Sequence, residues 1–136
     1  MTLYLDSSSL VKLYIDEPGS AEIALLVQDA TVVATSALAY PEIRAAFARR
    51  RRERSMTPRQ LVSVRQQFES DWVAMFVLSF DSALAQRAGA LAEAHALRGA
   101  DAVHLASFER LVATADDDVQ FKCADQRLSQ AARRLR

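Results

Sequence analysis

The apolar and polar positions follow two patterns along the chain. Short apolar or β-branched runs, which are typical of buried strands, lie at 3–5, 31–35, 75–78 and 119–123. The longer segments between them carry apolar residues at helical spacing; one such stripe is Leu61, Val64, Phe68 and Trp72. The pattern therefore predicts four strands that are separated by helices, with a last helix after the fourth strand.

Capping residues place several helix starts. Asp6, Thr57, Asp81 and Asp125 each stand just before a helical segment, and aspartate and threonine are preferred at that position because their side chains accept a backbone N–H. Pro58 follows Thr57 at the first helical position, where its missing N–H costs nothing. These signals support the order of elements that the apolar pattern predicts.

Strands that alternate with helices favour a parallel sheet with helices on both faces. About half of the residues are hydrophobic (51%), and Gly and Pro number three each, so the chain can bury a core and is rich in helix formers. We expect an α/β fold, a three-layer α/β/α sandwich around a central, mainly parallel four-stranded sheet. Residues 1–136 should form one domain.

Charge and cysteine content exclude some classes of function. The 17 Lys and Arg residues balance the 17 Asp and Glu residues, so the net charge gives no sign of a nucleic-acid partner. Cys123 is the only cysteine, which excludes an internal disulfide and a cysteine zinc site. Because the sequence also shows neither a signal peptide nor a membrane-spanning run, we expect a cytoplasmic protein.

Two acids should meet at one edge of the sheet. Asp6 ends the first predicted strand and Asp125 follows the fourth. In open parallel sheets, binding sites form beyond the carboxyl ends of the strands. For each of the two residues, helix capping is the alternative interpretation.

Two further acids interrupt helix faces that otherwise pack. Asp101 begins an apolar line that continues with Leu105, and Glu42 breaks a stripe of small residues in the third helical segment. A carboxylate at the border of a core is costly unless something compensates its charge. The alternatives are a first-turn acid favoured by the helix dipole for Asp101, and a half-buried ion pair with Arg44 or Arg49 for Glu42.

Four carboxylates in one small volume would repel one another, and a divalent cation would remove that repulsion. Ligand sets made only of carboxylates suit Mg²⁺ or Mn²⁺ rather than zinc. Such ions stabilise the charge of a phosphoryl transition state and lower the pKa of a bound water. The four acids therefore point to hydrolysis of a phosphodiester.

The chain resembles the PIN-domain family and, within it, the VapC-type toxins. The likeness covers nearly the whole chain in order, and the set of four acids is its most specific part. The matching segments are Leu5-Asp6-Ser7-Ser8-Ser9-Leu10-Val11-Lys12-Leu13-Tyr14, Asp16-Glu17-Pro18-Gly19-Ser20, Pro41-Glu42-Ile43-Arg44-Ala45-Ala46, Arg98-Gly99-Ala100-Asp101-Ala102-Val103-His104-Leu105-Ala106 and Cys123-Ala124-Asp125-Gln126-Arg127-Leu128.

The resemblance implies that Asp6, Glu42, Asp101 and Asp125 hold one or two Mg²⁺ or Mn²⁺ ions, and that the hydroxyl of Ser8 supports them. It implies an endoribonuclease that cuts tRNA, rRNA or mRNA, acts as the toxin of a toxin–antitoxin pair and is inhibited by a cognate antitoxin. It also implies a homodimer. The chain departs from the family at Cys123, where a threonine is common, and in its four rather than five strands.

Two other functions are compatible with the residues. The first is a PIN-like module that binds RNA or protein without cutting, which the presence of all four acids disfavours. The second is a phosphotransferase with Asp6 as nucleophile, which usually has another acid two residues on, where this chain has Ser8.

Two features outside the acid set have simple structural interpretations. The basic run Arg49–Arg54 is interpreted as a solvated helix end, with phosphate or antitoxin contact as the alternative. His104 is interpreted as a packed or hydrogen-bonded residue, with metal or proton transfer as the alternative.

Overall fold

The computed structural model describes residues 1–135. In chain order the elements are β1 (Thr2–Leu5), α1 (Ser7–Leu10), a 3₁₀ turn (Val11–Leu13), α2 (Ser20–Asp29), β2 (Val32–Ser36), α3 (Ala39–Arg52), α4 (Pro58–Trp72), β3 (Phe76–Leu78), α5 (Ser82–His95), α6 (Gly99–Thr114), β4 (Val119–Lys122) and α7 (Gln126–Arg134).

The four strands form one parallel sheet in the order β3-β2-β1-β4. β1 lies in the middle and pairs with β2 on one side and with β4 on the other; Tyr4 is opposite both Ala34 and Phe121. This arrangement confirms the predicted α/β fold with a central four-stranded parallel sheet. It also brings the carboxyl ends of β1 and β4, which are far apart in sequence, side by side.

The two faces of the sheet carry separate cores. Successive residues of β1 point to opposite faces. Leu3 and Leu5, which are fully buried, pack in a cluster with residues of α1 to α4. Tyr4 packs in the other cluster, with residues of α5, α6 and α7. The chain therefore has helices on both faces, and β1 contributes to both layers.

Several predicted element boundaries were wrong by a few residues. The strand predicted at 31–35 runs from Val32 to Ser36, and the next helix begins at Ala39. β4 ends at Lys122, before Cys123. The first helix breaks into α1 and the 3₁₀ turn before Tyr14. The predicted last helix ends at Arg134, and Arg136 lies outside the described residues.

The acidic loop at 116–118, just before β4, is anchored to the start of the chain. Asp117 accepts a hydrogen bond from the hydroxyl of Thr2 at 3.0 Å and lies 3.7 Å from the amino-terminal nitrogen of Met1. These contacts tie the loop to the start of β1. Within residues 1–135, no helix is both long and apolar enough to cross a membrane.

The predicted cap at Thr57 is a complete capping box. The Thr57 hydroxyl accepts from the amide of Gln60 at 3.1 Å, and the Gln60 side chain accepts from the amide of Thr57 at 2.8 Å. We expect Thr57→Ala to lower the free energy of unfolding by about 1 kcal/mol. Urea denaturation checks this, with Ser63→Ala on the exposed face of the same helix as the control. An equal loss in both variants would contradict the capping argument.

Candidate active site

Asp6 is at the carboxyl end of the central strand. It follows β1 directly, and its amide donates to the carbonyl of Lys122 in β4 at 3.3 Å. Its carboxylate caps α1 by accepting the amide of Ser9 at 3.0 Å, and it accepts the hydroxyl of Ser8 at 2.8 Å. The capping interpretation is therefore correct, but it engages the carboxylate only in part.

The environment of Asp6 is unusual for a capping residue because the side chain is only 4% exposed. Burial raises the pKa of Asp6, although His104 nearby and the hydrogen bonds from Ser8 and Ser9 act in the opposite direction. Burial disfavours the ionised form of such a carboxylate, and a nearby cation would stabilise that form. This property is common at functional sites.

Glu42 lies in the first turn of α3 and points to α1 and α6. Its Oε1 accepts the hydroxyl of Ser7 at 2.5 Å and lies 3.1 Å from Nε2 of His104. Burial alone would raise the pKa of Glu42, but the hydrogen bonds from His104 and Ser7 outweigh it and hold the pKa below its ordinary value. Glu42 is thus an ionised, half-buried carboxylate.

The alternative ion pair of Glu42 with an arginine was wrong. Arg44 pairs with Glu69 at 3.2 Å, and Arg49 pairs with Glu53 at 3.1 Å. The partners of Glu42 come instead from α1 and α6, which a search along its own helix could not reveal.

Asp101 lies in the first turn of α6, with its side chain 14% exposed. Its Oδ2 accepts from Nε of Arg98 at 3.0 Å. Arg98 is 80% exposed, and Asp125 also acts on its charge. A cationic group therefore already faces these two acids, and a metal ion that bound Asp101 at Oδ2 would have to displace the guanidinium.

Asp125 caps α7 by accepting the amide of Leu128 at 2.9 Å. Asp125 and two of the other acids act electrostatically on Cys123, which lies between β4 and α7. Burial and the negative charges of Asp6, Asp125 and Asp101 raise the pKa of the Cys123 thiol to about 12. The three carboxylates are therefore close enough to disfavour the thiolate of this half-buried residue, which stays protonated at neutral pH.

The fourth acid, Glu42, contacts two residues from other helices. Ser7 had no role in the sequence prediction, and His104 was predicted to be packed or hydrogen-bonded, which its contacts confirm. Ser7 follows Asp6 and donates to Glu42. His104 lies one helical turn after Asp101, is 2% exposed, approaches Glu42, and is close enough to Asp6 to act against the raised pKa of that carboxyl. Ser7 and His104 stand close in sequence to Asp6 and Asp101, and this closeness indicates that they lie near the site. The sequence does not indicate that both bond to Glu42.

Ser8 makes the contact that the resemblance attributes to a supporting hydroxyl. It donates to both carboxylate oxygens of Asp6, at 2.8 and 2.9 Å. Its oxygen also accepts the amide of Ala124 at 3.3 Å, which joins the loops that follow β1 and β4. Cys123 makes a different contact, since its Sγ donates to the carbonyl of Asp125 at 3.3 Å.

Carboxylate oxygens are suitable ligands for a hard divalent cation, although the four acids are not arranged around a single metal position in this structure. In the described part of the chain, no three His, Cys, Asp or Glu side chains are arranged so that they could hold a metal ion. Mg²⁺ keeps several waters and binds proteins through one or two carboxylates together with substrate phosphates. The chemistry of the carboxylate donors therefore fits Mg²⁺ or Mn²⁺.

The basic run lies at the end of α3 and is partly paired. Arg49 bonds to Glu53, and Arg50 bonds to Glu17 at 2.8 Å. Arg52 and Arg54 are exposed. The pairs and the exposure agree with a solvated helix end.

The chain is similar to known proteins over nearly its whole length. The family described as the PIN domain matches residues 3–133. Two curated proteins of Mycobacterium tuberculosis, ribonuclease VapC45 and ribonuclease VapC49, are each 39% identical over 130 residues, which cover 96% of this chain and 88% of the relative.

Two crystal structures have the same fold. The first is M. tuberculosis VapC20, whose description calls it a toxin that cleaves the sarcin-ricin loop; it has a TM-score of 0.68 and 17% identity, and the match covers 95% of this chain and 94% of that one. The second is FitAcB from Neisseria gonorrhoeae, with a TM-score of 0.68, 18% identity and coverage of 96% and 93%. At this level of identity the likeness concerns the fold.

Proposed function

The chain belongs to the PIN-domain family, as a VapC-type member, and we propose that it is a metal-dependent endoribonuclease and the toxin of a toxin–antitoxin pair. One observation carries the proposal: hydrogen bonds join the segments that hold the four acids. Ser8 bonds to Asp6 and to the amide of Ala124, which precedes Asp125. Glu42 bonds to Ser7, beside Asp6, and to His104, one turn after Asp101. The ribonuclease relatives, which match 96% of this chain, support the proposal.

In this proposal Asp6, Glu42, Asp101 and Asp125 hold one or two Mg²⁺ or Mn²⁺ ions. When bound, such a cation neutralises phosphoryl charge and lowers the pKa of a water for attack on phosphorus. The protein supplies the fixed donors. Ser8 and the Ser9 amide hold Asp6, while Ser7 and His104 hold Glu42. Asp101, which bonds to Arg98 in the structure, would hold the cation in place of that guanidinium.

The proposed partners are an RNA substrate, a cognate antitoxin and a second copy of the chain. Protein partners agree with the large apolar side chains that remain exposed, among them Val73 at 84%, Leu25 at 62% and Phe76 at 53%. The four paired acids support catalysis over the second candidate, a PIN-like module that only binds RNA or protein.

We expect RNA cleavage by the purified chain to depend on Mg²⁺ or Mn²⁺. EDTA should abolish cleavage of labelled tRNA and rRNA fragments, and re-addition of either ion should restore it, because the carboxylates alone cannot generate hydroxide at neutral pH. The new RNA ends should carry no 2′,3′-cyclic phosphate, since water attacks the phosphorus rather than the ribose hydroxyl.

Two results would argue against the proposal. Cleavage that persists in EDTA would exclude the metal mechanism. RNA that binds tightly but stays intact with both ions would favour the binding module. A gel-shift assay run beside the cleavage assay separates these outcomes.

A further inference from the structure

A buried chain of hydrogen bonds runs from the core to Glu42. The hydroxyl of Tyr4, a fully buried residue of β1, lies 2.8 Å from Nδ1 of His104. On the other side of the imidazole ring, Nε2 lies 3.1 Å from Oε1 of Glu42 and 3.1 Å from the hydroxyl oxygen of Ser7. Both ring nitrogens therefore have fixed partners.

The partners determine where the ring proton lies. A carboxylate oxygen can only accept, so Nε2 carries the hydrogen that it shares with Glu42. The hydrogen of Ser7 points to Glu42, which leaves a lone pair of Ser7 facing the same N–H. When the ring carries its hydrogen on Nε2 alone, Nδ1 is an acceptor, and the hydroxyl of Tyr4 donates to it.

These two donors hold one oxygen of the carboxylate. Among the described residues, the hydrogen bonds to the Glu42 side chain come from Ser7 and His104, and both reach Oε1. Oε2 is the oxygen left for a cation. Ligating carboxylates are commonly fixed in this way, and loss of the supporting bond typically weakens metal binding about 10–100-fold.

We propose that His104 is a positioning residue that orients Glu42 through its Nε2–H, with the ring itself held by the hydroxyl of Tyr4. The inference rests on the proposed function in that Glu42 is taken as a metal ligand. The aromatic surroundings fit this role, because the His104 ring meets Tyr4 edge-on at 6.0 Å between centroids and so has little room to rotate.

The first test reads the ring directly and needs neither metal nor RNA. The chain has two histidines, so ¹⁵N-histidine labelling gives two sets of long-range ¹H–¹⁵N correlations, and His95→Gln assigns them. Nε2 of His104 should carry a hydrogen, and Tyr4→Phe should change the Nδ1 shift of the same ring. A bare Nε2 in the parent protein would overturn the proposal.

The second test compares two replacements of the same residue. Glutamine places an amide N–H near the position of Nε2, whereas leucine fills the space without a donor. We expect His104→Leu to raise the Mn²⁺ dissociation constant about 10–100-fold, measured by calorimetry, and His104→Gln to stay within a few-fold of the parent. His95→Gln is the matched control and should not change binding.

The outcomes separate positioning from packing. Equal weakening in the leucine and glutamine variants would show a packing role, and no weakening in either would show no role; both overturn the proposal. If the leucine variant does not fold, the glutamine variant and Tyr4→Phe decide in the same way. A parent protein that binds no Mn²⁺ contradicts the proposed function, while the tautomer still tests the hydrogen-bond chain.

Discussion

Replacing Asp6 or Asp101 with asparagine should lower the rate of RNA cleavage at least about a hundredfold, which corresponds to about 2.7 kcal/mol of transition-state stabilisation. Asparagine keeps the shape of the side chain and one acceptor oxygen but removes the negative charge that a cation requires. A cleavage assay at saturating Mg²⁺, with circular dichroism of each variant, measures the rate and the fold separately.

The fold should survive both changes for different reasons. At Asp6 the amide oxygen can still accept from Ser8 and Ser9, and the buried charge, which burial disfavours, disappears. At Asp101 the lost ion pair with the exposed Arg98 is worth little. Asp29→Asn is the control, because Asp29 ends α2 at the opposite edge of the sheet. Undiminished cleavage in the Asp6 and Asp101 variants would contradict the site.

Phe108→Ala should be the most destabilising single truncation in the layer that contains α6. The side chain is fully buried, and its ring lies 4.9 Å from that of Phe121 and 6.1 Å from that of Tyr4, between centroids. Removing a core phenylalanine costs about 3–5 kcal/mol through lost burial and the cavity left behind. Thermal and urea denaturation should show this loss.

Phe80→Ala is the matched control for this truncation. Phe80 is 45% exposed, so the same change removes much less buried surface. A loss at Phe108 no larger than the loss at Phe80 would mean that the ring cluster around Tyr4 does not stabilise the sheet. Because Tyr4 also contacts His104, the Phe108 variant should bind Mn²⁺ less tightly as well.

Local chemistry made the positions of two of the proposed site acids predictable. Asp6 and Asp125 are placed by capping preferences that act within three residues, and both do cap their helices. Asp101 stands out because it borders an apolar helix face. The predicted alternative of an ion pair between Glu42 and an arginine of its own helix was wrong for a non-local reason. The partners of Glu42 are Ser7 and His104, which are 35 and 62 residues away in sequence.

The sequence by itself determined the types of secondary-structure element and their order, and it identified the four acids as candidates, because periodicity and capping depend on neighbours a few residues apart. The tertiary structure decided that β1 lies between β2 and β4, and therefore that Asp6 comes next to the loop of Cys123 and Asp125. It also decided that His104 meets Tyr4 and Glu42. Strand order and helix packing are set by the burial of whole faces at once, a property that no short segment carries.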